Sequence, residues 1–302
     1  MSQTHSVSVR RRYGIQRVCR VWHVPRSTVH AYRRRAALST AERPLLKKRG
    51  PQGPCSDEAL GDKIRLLLAA SPFYGEGYRK MWAHLRVQGV RTSRDRVRRV
   101  MREQGLQVPQ RGGQPRGPQT HDGTITTERP DLMWGTDMTT TVTTDEGTAS
   151  VFVAVDHCTC ECVGLHAAAQ GNRFEALEPI YQGVRERFGA VDKDVAVGLQ
   201  VRHDHGSAYL SVHFQTELTF LGIESSPSFV RAPEGNGCSE RFIRTLKENL
   251  LWVTYFATIE KLRMALIDFM RIYNEQWILE RHDYQTPNQV RQSLLQEKAK
   301  AA

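Results

Sequence analysis

The pattern of apolar residues changes at Pro130, and this change constrains the fold more than any other feature of the chain. Three strand-like runs follow it, separated by short polar turns: MWGTDMTTTV (133–142), ASVFVAVD (149–156) and CECVGLHAA (160–168). Short runs that follow one another so closely predict an antiparallel meander. The continuous apolar run Val151–Val155 predicts a central strand that is buried on both faces.

Helices and strands alternate beyond the meander. An amphipathic helix is predicted at Arg173–Phe188, and the alternation of apolar residues over 195–201 predicts a strand that ends at Asp204. The remaining predictions are a helix at 212–221, a short extended segment at 223–229 and helices at 236–251 and 259–277. This order of elements predicts a ribonuclease-H-like α/β domain over residues 130–290, followed by a tail at 291–302.

Charge is divided along the chain as sharply as the apolar pattern. Residues 1–116 contain 26 Lys and Arg against 7 Asp and Glu, whereas the whole chain contains 43 against 32. A strongly basic part joined to a mildly acidic part is typical of a nucleic-acid-binding module attached to a second function. The alternative, a basic surface that is merely solvated, is disfavoured because the charges are so strongly segregated.

Membrane and secretion signals are missing from the sequence. No run approaches the roughly 18 apolar residues of a membrane helix, and the N-terminal segment lacks a signal-type apolar stretch. We therefore expect a cytoplasmic, nucleoid-associated protein whose six cysteines stay reduced. Cys158, Cys160 and Cys162 alternate, so we expect them on one face of a strand. Their spacing matches no common zinc site, and we interpret them as small strand residues.

The first 43 residues are predicted to contain a helix–turn–helix. Ser27 is predicted to cap the second helix, after a turn at His23 and Val24. Four residues at helical spacing would form the buried stripe of the first helix: Ile15, Val18, Cys19 and Trp22. The second helix would present Thr28, His30, Arg33 and Arg34, which is the arrangement of a helix that lies in a DNA major groove. A plain basic helical hairpin is the alternative.

Residues 55–107 are predicted to form a second helical DNA-binding unit of the same kind. Its last helix buries Val97, Val100 and Met101 and crowds five arginines onto its remaining surface: Arg94, Arg96, Arg98, Arg99 and Arg102. Five arginines on one short helix repel one another unless an anion neutralises them, and DNA phosphate is the natural candidate. A solvated basic face is the alternative. Residues 108–129 have almost nothing to bury and are predicted to be a flexible linker.

Three carboxylates fall where a ribonuclease-H-like fold would place metal ligands. Asp137 lies in the first predicted strand, Asp204 ends the fourth, and Glu240 lies early in a long helix, with 35 residues between it and Asp204. Phosphodiester chemistry of the two-metal type needs carboxylates that converge from separate elements, and Mg²⁺ prefers such hard oxygen ligands. Glu240, Arg244 and Lys247 share one helix face. A solvated helix with a Glu240–Arg244 pair is the alternative for this segment alone.

Four ordered motifs resemble those of the OrfB-type transposases of bacterial insertion sequences, which are relatives of retroviral integrases. WGTDMT (134–139) and HDHGSAYLS (203–211) resemble the two Asp motifs of that family. NGCSERFIRTLKE (236–248) resembles its Glu motif, and RHDYQTP (281–287), preceded by Tyr273-Asn274, resembles its C-terminal signature. GIQRVCR (14–20) and GYRKMWAHL (77–85) resemble its two helix–turn–helix units. Two positions depart from the family pattern: Gly235 stands where Asp is frequent, and His203 where Ser is common.

The resemblance implies an integrase-like catalytic core preceded by helical DNA-binding regions. It implies that Asp137, Asp204 and Glu240 hold two Mg²⁺ ions, with Mn²⁺ as a substitute, and catalyse DNA cleavage and strand transfer at element ends. Lys247, seven residues after Glu240, matches a basic position of the family. The partners it implies are double-stranded DNA (terminal repeats and target), a further copy of the chain, and an upstream reading-frame product or fusion.

Two other functions remain open from the sequence. A non-enzymatic DNA-binding regulator would show no cation-dependent strand chemistry and would not need Asp204. A structure-specific nuclease of the same superfamily would hydrolyse strands without joining them.

Overall fold

The computed structural model of the chain describes residues 3–38, 55–108, 125–228 and 236–301. Most of the predicted linker at 108–129 lies outside these ranges, as do residues 39–43 of the first helical region. The chain divides into two compact units, Met1–Gln52 and Gly53–Ala302. Within the described ranges, no helix combines the length and the apolar character that crossing a membrane requires.

The first unit contains two short helices, α1 (Gly14–Val21) and α2 (Arg26–Ala36). The turn between them includes His23 and Val24, as predicted, and His23 has the positive φ of 51° that such a tight turn requires. The predicted cap at Ser27 is wrong, because α2 begins one residue earlier, directly after Pro25, and has no side-chain cap.

The predicted apolar stripe of α1 is only partly correct. Cys19 is buried, but Trp22, which directly follows the end of α1, is 62% exposed. The two-helix arrangement therefore forms with very little buried apolar surface among its described residues.

Three helices at the start of the second unit confirm the predicted helical pattern of residues 55–107: α3 (Asp57–Ala70), α4 (Tyr78–Val87) and α5 (Arg94–Glu103). Ser56 caps α3 and Ser93 caps α5, each accepting at 3.2 Å from the amide three residues on. Such caps satisfy backbone donors that a helix start leaves free. A closed apolar core joins the three helices: Leu60, Ile64, Met81, Leu85, Val90, Val97, Val100 and Met101.

A five-stranded sheet follows: β1 (Met133–Thr143), β2 (Gly147–Asp156), β3 (Cys162–Ala168), β4 (Gln200–His203) and β5 (Glu224–Pro227). The strand order is β3-β2-β1-β4-β5. β2 pairs antiparallel with β1 and β3, which confirms the meander, while β4 runs parallel to β1 and to β5. This order and these directions make the domain a ribonuclease-H-like α/β fold, as predicted.

Five helices complete the unit: α6 (Glu178–Phe188), α7 (Val212–Phe220), α8 (Gly237–Leu246), α9 (Ile259–Gln276) and α10 (Pro287–Ala301). α6 and α7 cover one face of the sheet, packing on Trp134, Phe152 and Val163. α8 and α9 cover the other face, packing on Val151, Val153 and Val155. The run Val151–Val155 is fully buried between these layers, as predicted.

Two predicted elements are shorter than the sequence suggested. Residues 195–199 form a turn rather than the start of β4, and the amide of Ala196 donates to the carbonyl of Leu221 instead of to a strand. Residues 173–177 likewise form turns ahead of α6. The predicted helix 236–251 is α8 followed by a π-helical turn over Lys247–Leu251.

The cysteine interpretation is wrong in its geometry. Cys158 and Cys160 lie in the turn between β2 and β3, and only Cys162 belongs to a strand. Cys160 takes a left-handed conformation with φ 59°, which breaks the alternation on which a shared strand face depends. Its Sγ lies 3.6 Å from Cys238 Sγ, and both thiols are free.

The predicted tail at 291–302 is also wrong, because α10 continues through it. Arg291 is buried and binds Asp131 through both Nη atoms, at 2.7 and 2.9 Å. Its Nε donates to Glu161, which also accepts from Arg187 Nη2 at 2.5 Å. This buried ion network ties α10 to the start of β1 and to α6, so α10 packs as part of the same fold as the sheet.

Candidate active site

The register of β1 and β4 brings two of the predicted carboxylates to the same level. Gly135 of β1 pairs with Arg202 of β4 in parallel, and Asp137 and Asp204 each lie two residues further on. Side chains two residues apart along a strand point to the same face. Asp204 is the first residue beyond β4, and its Oδ1 accepts from the amide of Gly206 at 2.8 Å. The two aspartates therefore lie next to each other, Asp137 within β1 and Asp204 just beyond the end of β4.

Glu240, the third carboxylate, is brought near the two aspartates because the first turn of α8 packs directly against β1. A Cβ on Gly135 would lie 2.4 Å from Ser239 Oγ and 2.7 Å from Asn236 Oδ1, so only glycine allows this approach. Asn236 Nδ2 donates to the carbonyl of Thr136 at 2.9 Å. Glu240 follows Ser239 on the exposed side of α8, on the same face of the sheet as Asp137.

The electrostatics of Asp137 are those of a crowded acidic site. The pKa of Asp137 is raised to about 6, chiefly by burial and also by the nearby charges of Asp204 and Glu240. The amide of Met138, which donates to Asp137 Oδ1 at 2.7 Å, and the charge of Lys247 act in the opposite direction. Carboxylates that raise one another's pKa are stabilised in their ionised form by a bound cation.

The charges of Asp204 and Glu240 act on Asp137, but the three side chains do not form a closed coordination shell. Among the residues that the structure describes, no three His, Cys, Asp or Glu side chains lie close enough to hold one ion together. The donor set of carboxylate oxygens nevertheless fits Mg²⁺, which takes few protein ligands and keeps several waters. The assignment of Asp137, Asp204 and Glu240 as catalytic metal ligands stays a prediction.

The two basic residues predicted beside Glu240 have different surroundings. Arg244 is exposed and its Nε donates to Glu248 Oε1 at 2.9 Å, one helical turn further along. Lys247 is half-buried at the start of the π-helical turn, and its charge lowers the pKa of Asp137. Lys247 therefore lies near enough to Asp137 for its charge to act on that carboxylate.

The predicted DNA-contacting residues of the helical units differ in their contacts within the protein. Thr28, Arg33 and Arg34 are exposed on α2, and Arg98 and Arg102 are exposed on α5. Their role in DNA binding stays a prediction.

The other arginines of α5 have partners within the protein. Arg99 donates to Asp57 at 2.8 Å and to Glu103 at 2.9 Å, and Arg96 also donates to Asp57. Arg94 lies 4.4 Å from the ring centroid of Trp82 and 4.0 Å from Glu280. Carboxylates of the chain itself therefore neutralise part of the positive charge of the five arginines.

Several polar residues near the site support it rather than take part in chemistry. Asp156 holds the β2–β3 turn, because its Oδ1 accepts from the amide and hydroxyl of Thr159. His203 bonds the Asp204 carbonyl at 2.7 Å and Ser225 Oγ at 2.9 Å, so the departure from Ser at this position is accommodated within the sheet. Gly135, Asn236 and Ser239 lie within two of the motifs, but nothing in the sequence marked their role, because the partners they contact across the β1–α8 junction lie about 100 residues away.

Two family models match the chain. An HTH-like domain matches residues 56–114, and an integrase core domain matches residues 221–287. The second match includes Glu240 and Lys247, whereas Asp137 and Asp204 precede it. The chain therefore carries the two domain types that the motifs predicted, in the predicted order.

Curated relatives point the same way. Transposase InsD for insertion element IS2A/D/F/H/I/K from Escherichia coli is 26% identical over 250 residues, which cover 80% of this chain and 79% of that protein. The insertion element IS2A uncharacterized 48.2 kDa protein from Escherichia coli is 26% identical over 254 residues. That match covers 82% of this chain but only 57% of the relative. These similarities confirm the resemblance to OrfB-type transposases.

Solved structures of retroviral integrases are also similar. The simian T-cell lymphotropic virus intasome, in complex with PP2A regulatory subunit B56 gamma, aligns with a TM-score of 0.46 at 17% identity, covering 76% of this chain and 74% of that chain. The HTLV-2 integrase catalytic core domain, in complex with magnesium, aligns with a TM-score of 0.41 at 18% identity, covering 54% of this chain and 98% of that chain.

Proposed function

We propose that the chain is the catalytic subunit of an insertion-sequence transposase, which cleaves DNA at the ends of its element and joins the freed strands to new DNA. The junction of β1, β4 and α8 carries this proposal, because there the charges of Asp204 and Glu240 act on Asp137 in the central strand of a ribonuclease-H-like sheet. The similarity to InsD transposases and the integrase core match support it.

Asp137, Asp204 and Glu240 would hold two Mg²⁺ ions, with Mn²⁺ as a substitute. Bound there, the ions would activate the attacking oxygen and stabilise the leaving oxygen. Glu240 lies on the exposed side of α8. Lys247 and Arg244 would bind phosphates of the strand that is cut. One phosphodiester replaces another, so the joining step needs no nucleotide hydrolysis.

The arginines of α2 and α5 would hold double-stranded DNA, chiefly through phosphates and therefore in a salt-dependent way. The DNA partners would be the terminal repeats and the target. Pairing two element ends would require more than one copy of the chain in the DNA complex. An upstream reading-frame product, separate or fused, would be a further partner. A nucleoid-associated location in the cytoplasm follows from these partners.

Detection of joined element ends tests this function. The native locus is carried on a plasmid, and junctions are amplified for the wild type, Glu240→Gln and the matched control Glu260→Gln, which alters an exposed glutamate of α9. Junctions are expected from the wild type and the control and not from Glu240→Gln. Junctions at wild-type level from Glu240→Gln would refute the assignment of Glu240.

The two other functions give different results in an assay with purified protein and labelled element ends. A nuclease would produce cut ends that are never joined. A regulator would bind the DNA without any Mg²⁺-dependent change in strand length, and Asp204→Asn would leave its activity intact.

A further inference from the structure

The first turn of α8 is attached to β1 by a small buried hydrogen-bond cluster. Asn236 is 4% exposed, and Ser239 and Thr136 are fully buried. Asn236 Nδ2 donates to the carbonyl of Thr136 at 2.9 Å, and Asn236 Oδ1 accepts from Ser239 Oγ at 3.0 Å. Gly135 lacks the side chain that would exclude both groups.

The use of Asn236 is unusual for its position. It immediately precedes α8, where an asparagine side chain commonly caps its own helix by accepting from a backbone amide. Asn236 makes no such cap. Its amide group is directed instead at the neighbouring strand, so α8 gives up a local stabilising bond in favour of a contact with β1.

The contact joins the backbone beside one carboxylate to the helix that carries another. Thr136 directly precedes Asp137, and Asn236 lies four residues, about one helical turn, before Glu240. The rest of the interface between α8 and the sheet is mainly apolar, with Phe242 and Leu246 in the core and one weak hydrogen bond from Cys238 Sγ to the Asp156 carbonyl at 3.7 Å. Apolar packing sets the distance between two elements but is not directional, whereas hydrogen bonds restrict the angle at which groups meet.

We propose that Asn236 is a positioning residue, which fixes the rotation and height of α8 on β1 and thereby the approach of Glu240 to Asp137. Ser239 orients the amide group of Asn236, and Gly135 provides the space for both. This inference rests on the proposed function, since it concerns the same three carboxylates. An amide is required, because the group must donate to one oxygen and accept from another at once.

The test compares Asn236→Leu with Asn274→Leu. Asn274 is a matched control, since its buried amide also joins a helix to a strand, donating to the Cys162 carbonyl at 2.8 Å and accepting from the Cys162 amide at 2.9 Å. Leucine has a similar volume and adds no charge beside the carboxylates. Both variants leave a buried carbonyl without its donor, so both are expected to lower the thermal unfolding midpoint.

Only Asn236→Leu should change metal binding. Titration of Mn²⁺ into the full chain without DNA, followed by electron paramagnetic resonance, is expected to show roughly 10- to 100-fold weaker binding, as for other groups that hold metal ligands in place. Strand transfer should need a correspondingly higher Mg²⁺ concentration for its half-maximal rate. Asn274→Leu should bind Mn²⁺ as the wild type does.

Ser239→Ala is a milder second variant, which keeps α8 packed if Asn236→Leu does not fold. Its Mn²⁺ binding is expected to be about 3-fold weaker than that of the wild type, because only one of the two hydrogen bonds of Asn236 is lost. Equal Mn²⁺ affinity in Ser239→Ala, in any folded Asn236→Leu protein and in the wild type would overturn the inference and leave the proposed function standing. A wild type that neither binds Mn²⁺ nor forms junctions would instead refute the proposed function.

Discussion

The two helical units that precede the sheet resemble each other in basic character but differ in what they bury. Within residues 3–38, Cys19 is the only buried apolar side chain, and Trp22 and Tyr32 are 62% and 74% exposed. The second helical unit, at residues 55–107, buries eight apolar residues between α3, α4 and α5. Short helices gain most of their stability from packing of an apolar face. The second unit therefore presents its arginines on a fixed surface, whereas the first depends far less on a core of its own.

The second helical unit, α3 to α5, is also attached to the domain that contains the sheet. Phe73, between α3 and α4, joins the apolar cluster under α8 and α9 and packs edge-on against Trp277, with ring centroids 4.7 Å apart. The amide of Tyr74 donates to Asn249 Oδ1 at 2.8 Å, and Arg79 binds Glu280 at 2.7 Å. These contacts thus cross the predicted boundary between a DNA-binding domain at 55–107 and the domain that contains the sheet. The domain limits themselves stay a prediction.

Of the changes that test this difference between the two helical units, Met101→Ala is expected to have the largest effect. Met101 is fully buried in the core of the second unit, so its truncation should lower the free energy of unfolding by about 3 kcal/mol. Trp22→Ala in the first unit, with a largely exposed side chain, should change it by less than about 0.5 kcal/mol. Urea unfolding monitored by circular dichroism gives both values. A loss as large for Trp22→Ala would show that the first unit has a core of its own.

A smaller effect is expected on DNA binding. Replacing Arg98 and Arg102 together by Ala should reduce the slope of log affinity against log salt by about 1.8, since each phosphate contact contributes about 0.9. The corresponding pair Arg33 and Arg34 should give a similar reduction if α2 also contacts phosphates. Fluorescence anisotropy with an element-end duplex at several salt concentrations measures the slopes. An unchanged slope for the α5 pair would remove that helix from the DNA-binding surface.

The smallest effect is expected from Asp57→Asn. The ion pairs of Asp57 with Arg96 and Arg99 are partly exposed, so their loss should lower the free energy of unfolding by less than about 1 kcal/mol. DNA affinity at low salt should rise, because Arg96 and Arg99 lose an intramolecular anion. Unfolding and anisotropy measurements on the same preparation test both effects. A fall in affinity would show that Asp57 positions the arginines for DNA rather than competing with it.

Much of the fold was predictable because periodicity is a local property. The meander, the buried run Val151–Val155 and the helical stripes of α3 and α5 all depend on residues a few positions apart. Predictions were wrong where backbone conformation overrode the pattern. Val195, Val197 and Leu199 alternate like a strand, but Gly198 has φ 95° and the segment turns. The alternating cysteines were misassigned because Cys160 is left-handed.

The candidate site was predictable only in part. The motifs indicated Asp137, Asp204 and Glu240, and the structure brings their charges together. The sequence could not indicate that Gly135 makes room for Asn236 and Ser239, since that contact depends on how α8 meets β1 in three dimensions. It also could not indicate that Asp57 binds Arg99, because 42 residues separate the two in the chain.

The ion network of Arg291 has a consequence for how the protein is made. A ribosome adds Arg291 long after Asp131 and Glu161, so the nascent chain contains all three candidate carboxylates before the cation that pairs with Asp131 exists. Removing one partner of a buried ion pair costs about 3–5 kcal/mol. A recombinant fragment cut at residue 290, just past the last motif, would therefore keep every residue of the candidate site and still be prone to aggregate during expression. The useful boundary for crystallisation or cell-free synthesis lies after α10.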